Sequence, residues 1–77
     1  MVDGFLLINV KPEGASDVYR QLANLSGIGS IAPLYGDYDL MVQLTAETYD
    51  TLGDLILTIR GNDAVNSTKF LPSDRTV

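Results

Sequence analysis

Hydrophobic residues along the chain follow two spacings in turn, one typical of strands and one typical of helices. The first run, residues 5–10, is apolar at both parities, which is typical of a central strand covered on both faces. Asn9 within it is interpreted as a polar group that finds a partner at the sheet face. Apolar positions then recur at helical spacing until Gly27, which predicts an amphipathic helix of about three turns. These positions are Ala15, Val18, Leu22 and Leu25.

The second half of the chain repeats this order. Residues 28–35 and residues 40–44 predict a second and a third strand, joined by a turn that contains glycine. Pro33 removes one ladder donor, so the second strand belongs at a sheet edge. Thr45 is expected to cap a second helix, and residues 65–71, mixed in polarity, predict a fourth strand at the other edge. The apolar stripe of that helix is Tyr49, Leu52, Leu55, Ile56 and Ile59.

Two strand-helix-strand units in succession indicate an α+β fold of the ferredoxin-like βαββαβ type. In this topology the two apolar strands lie in the middle of a four-stranded antiparallel sheet, and both helices cover one face. The other face would carry Phe5, Leu7 and Met41 without cover, which predicts a second copy related by a two-fold axis. The 77 residues are expected to form a single domain, with a loosely ordered polar tail over residues 72–77.

Composition restricts the classes of function. Five Lys and Arg stand against ten Asp and Glu, and the formal net charge of −5 disfavours direct DNA or RNA binding. The sequence contains no Cys and no His, which removes disulfides, thiolate metal sites and the usual acid-base group at neutral pH. We therefore expect a protein that is not an enzyme and has no cofactor and no metal. Its apolar runs are far shorter than the roughly 20 residues that span a bilayer, so a cytoplasmic protein without membrane contact is expected.

The turn between the second and third strands is the candidate functional site, and it reads Tyr35-Gly36-Asp37-Tyr38-Asp39. A hairpin turn by itself accounts for Gly36 and Asp37, because glycine permits positive φ and Asp can bond its own backbone. It does not require Tyr35, Tyr38 or Asp39, whose phenols and carboxylate can bind a small polar ligand. A cation site or an acid-base pair on the two acids is less favoured, because neither a third carboxylate nor a nucleophile is visible nearby in the sequence.

A family resemblance rests on this turn and on the segments Leu7-Ile8-Asn9-Val10-Lys11-Pro12 and Val65-Asn66-Ser67-Thr68. With them, the chain resembles the effector-binding domain of the Lrp/AsnC transcription regulators over nearly its whole length. The full-length regulators carry an N-terminal helix-turn-helix that reads DNA. Only a few residues precede the first strand here, so the chain is expected to be a stand-alone form of the effector-binding domain.

The resemblance implies dimers formed through the sheets, assembly of dimers into rings, with an octamer expected, and binding of a small effector, an amino acid, between dimers. It also implies modulation of transcription by assembly with full-length Lrp/AsnC-type regulators. The turn backbone would hold the effector's carboxylate, an Asp of the turn its ammonium group, and the last strand would supply two hydroxyls. The ligand-binding residues implied are Tyr35, Gly36, Asp37, Tyr38, Asp39, Ser67 and Thr68.

Two other functions stay open from the sequence. One is a purely structural oligomerisation domain whose turn only builds subunit contacts. The other is a small dimeric ferredoxin-like enzyme, such as an isomerase or a cofactor-free monooxygenase, and the absence of His weighs against it. If the turn binds an effector, Asp39→Ala is expected to weaken binding and to leave the fold largely intact.

Overall fold

The computed structural model describes residues 1–73 and confirms the ferredoxin-like α+β fold. The strands form one antiparallel sheet in the order β2-β3-β1-β4, with the two apolar strands in the middle and the strand that ends at Pro33 at an edge. The elements, in chain order, are β1 (Val2–Val10), α1 (Ala15–Ala23), β2 (Ile28–Pro33), β3 (Leu40–Ala46), α2 (Tyr49–Arg60) and β4 (Val65–Pro72).

The core lies between the two helices and one face of the sheet. Alternate residues of β1 and β3 are buried, because successive side chains of a strand point to opposite faces. Fully burying one such Leu or Ile side chain contributes about 1.5–3 kcal/mol, so these two strands dominate the stability of the domain. The buried apolar residues are Leu6, Ile8, Val18, Leu22, Leu40, Val42, Leu44, Ala46, Leu52 and Ile59.

The opposite side of the sheet, which we call the outer face, carries the apolar side chains expected there. Leu7 pairs with Met41 across the two central strands, and Phe5 pairs with Gln43. In the single chain these residues are only half-buried, whereas their neighbours on the helix side are buried. Leu71 of β4 adds another exposed apolar side chain next to Phe5. The outer face therefore carries an apolar patch with no helix over it, bordered by the polar residues Gln43 and Lys69, which pair with Phe5 and Leu7.

The start of α2 differs from the sequence-based expectation. Its N-cap is Thr48, whose hydroxyl oxygen accepts a hydrogen bond from the Thr51 amide at 3.1 Å, so the assignment of the cap to Thr45 was wrong. The reason is that β3 continues to Ala46, where it is still paired with Val2 of β1. Tyr49 then falls in the first helical turn and is 72% exposed, outside the buried stripe in which the sequence pattern placed it.

The ends of other elements also shift by a few residues. Helix α1 ends at Ala23, before Gly27, which has φ +87° and lies against the Thr45 carbonyl. Strand β2 ends at Pro33, before the predicted end at residue 35. Pro72 closes β4, and the Ser73 amide donates to the Asp3 carbonyl at 3.1 Å. The remainder of the predicted tail lies outside the described residues.

Candidate functional site

The central turn is held against the end of β1 by its own backbone. The Asp39 amide donates to the Ile8 carbonyl at 2.8 Å, and the Leu34 amide donates to the Asp39 carbonyl at 2.8 Å. Gly36 has φ +111°, the positive value that the sequence predicted for this glycine. The turn is therefore closed by backbone hydrogen bonds and does not depend on its exposed side chains for its shape.

Asp39 has a structural bond that the sequence did not indicate. Its Oδ2 accepts a hydrogen bond from the Val10 amide at 2.8 Å, in a partly buried position. The pairing of β1 with β3 ends at Ile8 and Leu40, so the next β1 amide on that side meets the Asp39 carboxylate where a strand carbonyl would otherwise stand. One carboxylate oxygen thus serves the fold, and among residues 1–73 the other accepts no hydrogen bond.

Asn9 connects the turn to the last strand. Its Nδ2 donates to the Asp37 carbonyl at 2.9 Å, and its Oδ1 accepts from the Asn66 Nδ2 at 3.1 Å. The sequence-based interpretation of Asn9 as a polar group with a partner at the sheet face agrees with these bonds. Asn66 was not singled out as a partner of Asn9, because its position depends on a register shift of β4 opposite Asn9 and Val10.

The polar side chains of the turn point largely to solvent. Tyr35 is fully exposed, Gly36 and Asp37 are exposed, and Tyr38 and Asp39 are half-buried. Over the described part of the chain these groups enclose no pocket. The turn of one chain is therefore an open polar surface with a fixed backbone.

The two hydroxyl residues assigned to the site lie on different faces of β4. Thr68 pairs with Ile8, which is fully buried under the helices, so its side chain points to the core side of the sheet. Ser67 pairs with Asn9 and is exposed on the outer side. The structure thus brings Ser67 near the turn through Asn9, and it does not bring the Ser67 and Thr68 hydroxyls together on one face.

Within residues 1–73, no three Asp or Glu side chains gather in a way that could hold a metal ion. Among these described residues, the Asp37 and Asp39 pair therefore gains no third carboxylate. Neither described helix is long and apolar enough to cross a membrane.

Comparisons with solved structures find the same fold in several other proteins. The structure named FFRP-DM1 superimposes with a TM-score of 0.91 at 24% identity, over 96% of this chain and 100% of that one. AsnC from E. coli gives 0.86 at 19% identity, over 99% of this chain and 56% of AsnC. A transcriptional regulator from Neisseria meningitidis in complex with L-Met gives 0.89 at 13% identity, over 99% of this chain and 51% of the regulator.

Sequence comparisons find a different kind of relative. The chain is 32% identical over 65 residues, or 80% of its length, to homocitrate synthases of Saccharolobus islandicus and Saccharolobus solfataricus. It spans only 14% of the length of those enzymes. No family model matches the sequence. The solved structures named above are all less than 25% identical to this chain, so their likeness establishes the fold alone. At the level of the fold, the resemblance to Lrp/AsnC regulators is confirmed.

Proposed function

We propose that the protein is a ligand-binding regulatory domain of the Lrp/AsnC kind, which senses a small effector, an amino acid, at the central turn. One observation carries this proposal: the turn backbone is fixed by hydrogen bonds to β1, while Tyr35 and Asp37 are exposed and Tyr38 is only half-buried. A rigid frame with free polar groups lowers the ordering cost of binding a small ligand. A turn that only reversed the chain would not need the two phenols of Tyr35 and Tyr38.

The chemistry of the exposed groups suits a zwitterion. An amino acid needs acceptors for its ammonium group and donors for its carboxylate. Asp37 and the remaining oxygen of Asp39 are the acceptors, and the Tyr35 and Tyr38 phenols with the Ser67 hydroxyl are the donors. Thr68 does not belong to this set, because its side chain points to the core side of the sheet. The complex of the Neisseria meningitidis regulator with L-Met supports this class of ligand.

The open geometry of the turn supports a site that is completed between copies. Two chains that pack their outer faces together would cover Phe5, Leu7 and Met41 and form the dimer. Dimers that meet at their turns would then surround a ligand that one chain leaves half open. The resulting assembly is a ring, and an octamer is the form that the family resemblance implies.

The comparisons support a regulatory module more than an enzyme. The chain corresponds to about half of each transcription regulator above and to a small part of a synthase. A domain that occurs both in transcription regulators and in a synthase is more simply explained as a sensor or an assembly domain than as the part that binds DNA or catalyses the synthase reaction. We therefore assign it no catalysis and no cofactor. The domain would modulate transcription by mixed assembly with full-length regulators, without itself touching DNA.

A thermal-shift survey against the standard amino acids tests the proposed binding. A ligand at 100 times its dissociation constant adds about 2.7 kcal/mol of stability, which raises the melting temperature of a domain this size by on the order of 10–20 °C. Asp37→Asn should remove this shift. The matched control is Asp50→Asn, an exposed acid in the first turn of α2, which should keep it. A survey with no shift for any amino acid would favour the purely structural oligomerisation domain.

A further inference from the structure

A row of hydrogen-bonded amide groups crosses one end of the sheet, and we call it the amide row. The Asn66 side chain donates to the Asn9 side chain at 3.1 Å, and the Asn9 side chain donates to the Asp37 carbonyl at 2.9 Å. The row thus joins β4, β1 and the central turn. Asn9 is its middle member, because a carboxamide can accept through Oδ1 and donate through Nδ2 at the same time.

The Asn66 end of the row sits on a β-bulge. Asn9 pairs with Ser67, and the next residue, Val10, pairs with Val65, so Asn66 is the extra residue of β4. A bulge leaves such a residue outside the ladder and redirects its side chain. This explains how two successive residues of β4, Asn66 and Ser67, are both exposed.

The bulge is also tied to the helices through the loop before β4. The Asn62 side chain donates to the Gln21 side chain of α1 at 2.8 Å and accepts from the Ala64 amide at 2.8 Å. The Gln21 side chain in turn donates to the Thr58 carbonyl of α2 at 3.3 Å. The Asn62 carbonyl accepts from the Val65 amide at 3.0 Å, directly before Asn66. A continuous set of polar contacts therefore runs from the helix layer to the bulge.

We propose that Asn9 is a positioning residue that couples the bulge at Asn66 to the central turn. When Asn66 holds the Asn9 amide in place, the Asn9 donor is aligned with the Asp37 carbonyl, and the turn keeps its geometry. Because coupling free energies are reciprocal, a ligand that favours this geometry of the turn also strengthens the bulge, and a change at the bulge alters the turn. The link to effector binding rests on the proposed function, whereas the coupling itself does not.

Amide hydrogen exchange of the ligand-free protein tests the coupling. The probes are the Leu34 and Asp39 amides, which close the turn by hydrogen bonds, and the Thr45 amide, bonded to the Gly27 carbonyl elsewhere in the sheet, is the reference. Asn9→Ala should speed exchange at the two turn amides by about two- to tenfold, as expected for the loss of one exposed hydrogen bond. Asn66→Ala should speed them by about twofold and leave the reference unchanged.

The decisive comparison is made in the Asn9→Ala background. There Asn66→Ala should add nothing at the turn, because its effect passes through Asn9. Equal acceleration by Asn66→Ala in both backgrounds, or no acceleration in the wild-type background, would overturn the proposal. Asn24→Ala is the control variant, since its side chain caps only the Arg20 carbonyl of α1. If an alanine variant does not fold, Asn66→Asp removes the donor and keeps the shape of the side chain.

Effector binding provides the second arm. With the amino acid that gives the largest thermal shift, Asn66→Ala should weaken affinity by about two- to fivefold in the wild-type background and should have no effect in Asn9→Ala. Affinity that falls equally in both backgrounds would overturn the link between the amide row and the site. If no amino acid binds, the proposed function fails, and the exchange measurements still decide the coupling by themselves.

Discussion

Replacing Asp39 by alanine should destabilise the protein by about 1.5–3 kcal/mol, because its carboxylate completes the end of β1. The Asp39 Oδ2 accepts the Val10 amide at 2.8 Å in a partly buried position. A hydrogen bond to a charged group contributes about this much, and the alanine variant leaves the Val10 donor without its acceptor. The expectation from sequence alone was that Asp39→Ala weakens effector binding and leaves the fold largely intact, without a structural hydrogen bond from this side chain.

The magnitude can be measured by urea unfolding followed by circular dichroism. All variants must be compared at one protein concentration, since assembly adds to the apparent stability. Asp39→Asn keeps an oxygen that can accept the Val10 amide and should lose about 1 kcal/mol or less. Asp37→Ala removes an exposed carboxylate from the same turn and should change stability by no more than about 0.5 kcal/mol. An Asp39→Ala protein as stable as Asp37→Ala would refute the structural role of this bond.

Four other substitutions test the fold and its surfaces. Leu7→Asp puts a charge in the middle of the outer face and should give monomers or insoluble chain by light scattering, whereas an unchanged dimer would contradict the outer-face contact. Gly53→Ala should stabilise α2 by about 0.5–1 kcal/mol, because an added Cβ meets nothing within 4 Å. Gly4→Ala should cost about 1–3 kcal/mol, because its Cβ would lie 2.6 Å from the Phe70 ring. Equal melting temperatures of these two variants would contradict this packing. Glu13→Gly should stabilise the protein by about 0.5–1 kcal/mol in thermal unfolding, because Glu13 has φ +65°, a backbone conformation that is strained for a residue with a side chain. A destabilised variant would show that the Glu13 side chain has a structural role.

The fold could be predicted because its main signals are local. Apolar residues on both faces of β1 and β3 indicate that these strands lie in the middle of the sheet, and Pro33 indicates that β2 lies at an edge. The end of β3 could not be read in the same way. It extends to Ala46 because Val2 pairs with it, and this non-local contact moves the helix cap from Thr45 to Thr48.

The candidate site was predicted less completely, because it depends on register. The positions of Gly36 and its neighbours follow from turn chemistry, and the turn lies where the sequence placed it. A one-residue bulge in β4 determines which side chains near Asn9 reach the turn, and a shift of one residue exchanges the faces of a strand. The sequence around Asn66 carries no local signal for this bulge, so neither its bond to Asn9 nor the core-side orientation of Thr68 was predictable.

Native mass spectrometry of the protein with its amino-acid effector tests the central claim most directly, because it counts chains and bound ligands in the same ion. The proposed site is completed between copies, so ligand should be found on dimer-based assemblies, with a fixed number per assembly, and monomers released at low concentration should be free of it. Leu7→Asp should lose both the assembly and the ligand. Ligand bound equally well to monomers, or assemblies that bind no amino acid at all, would contradict the account.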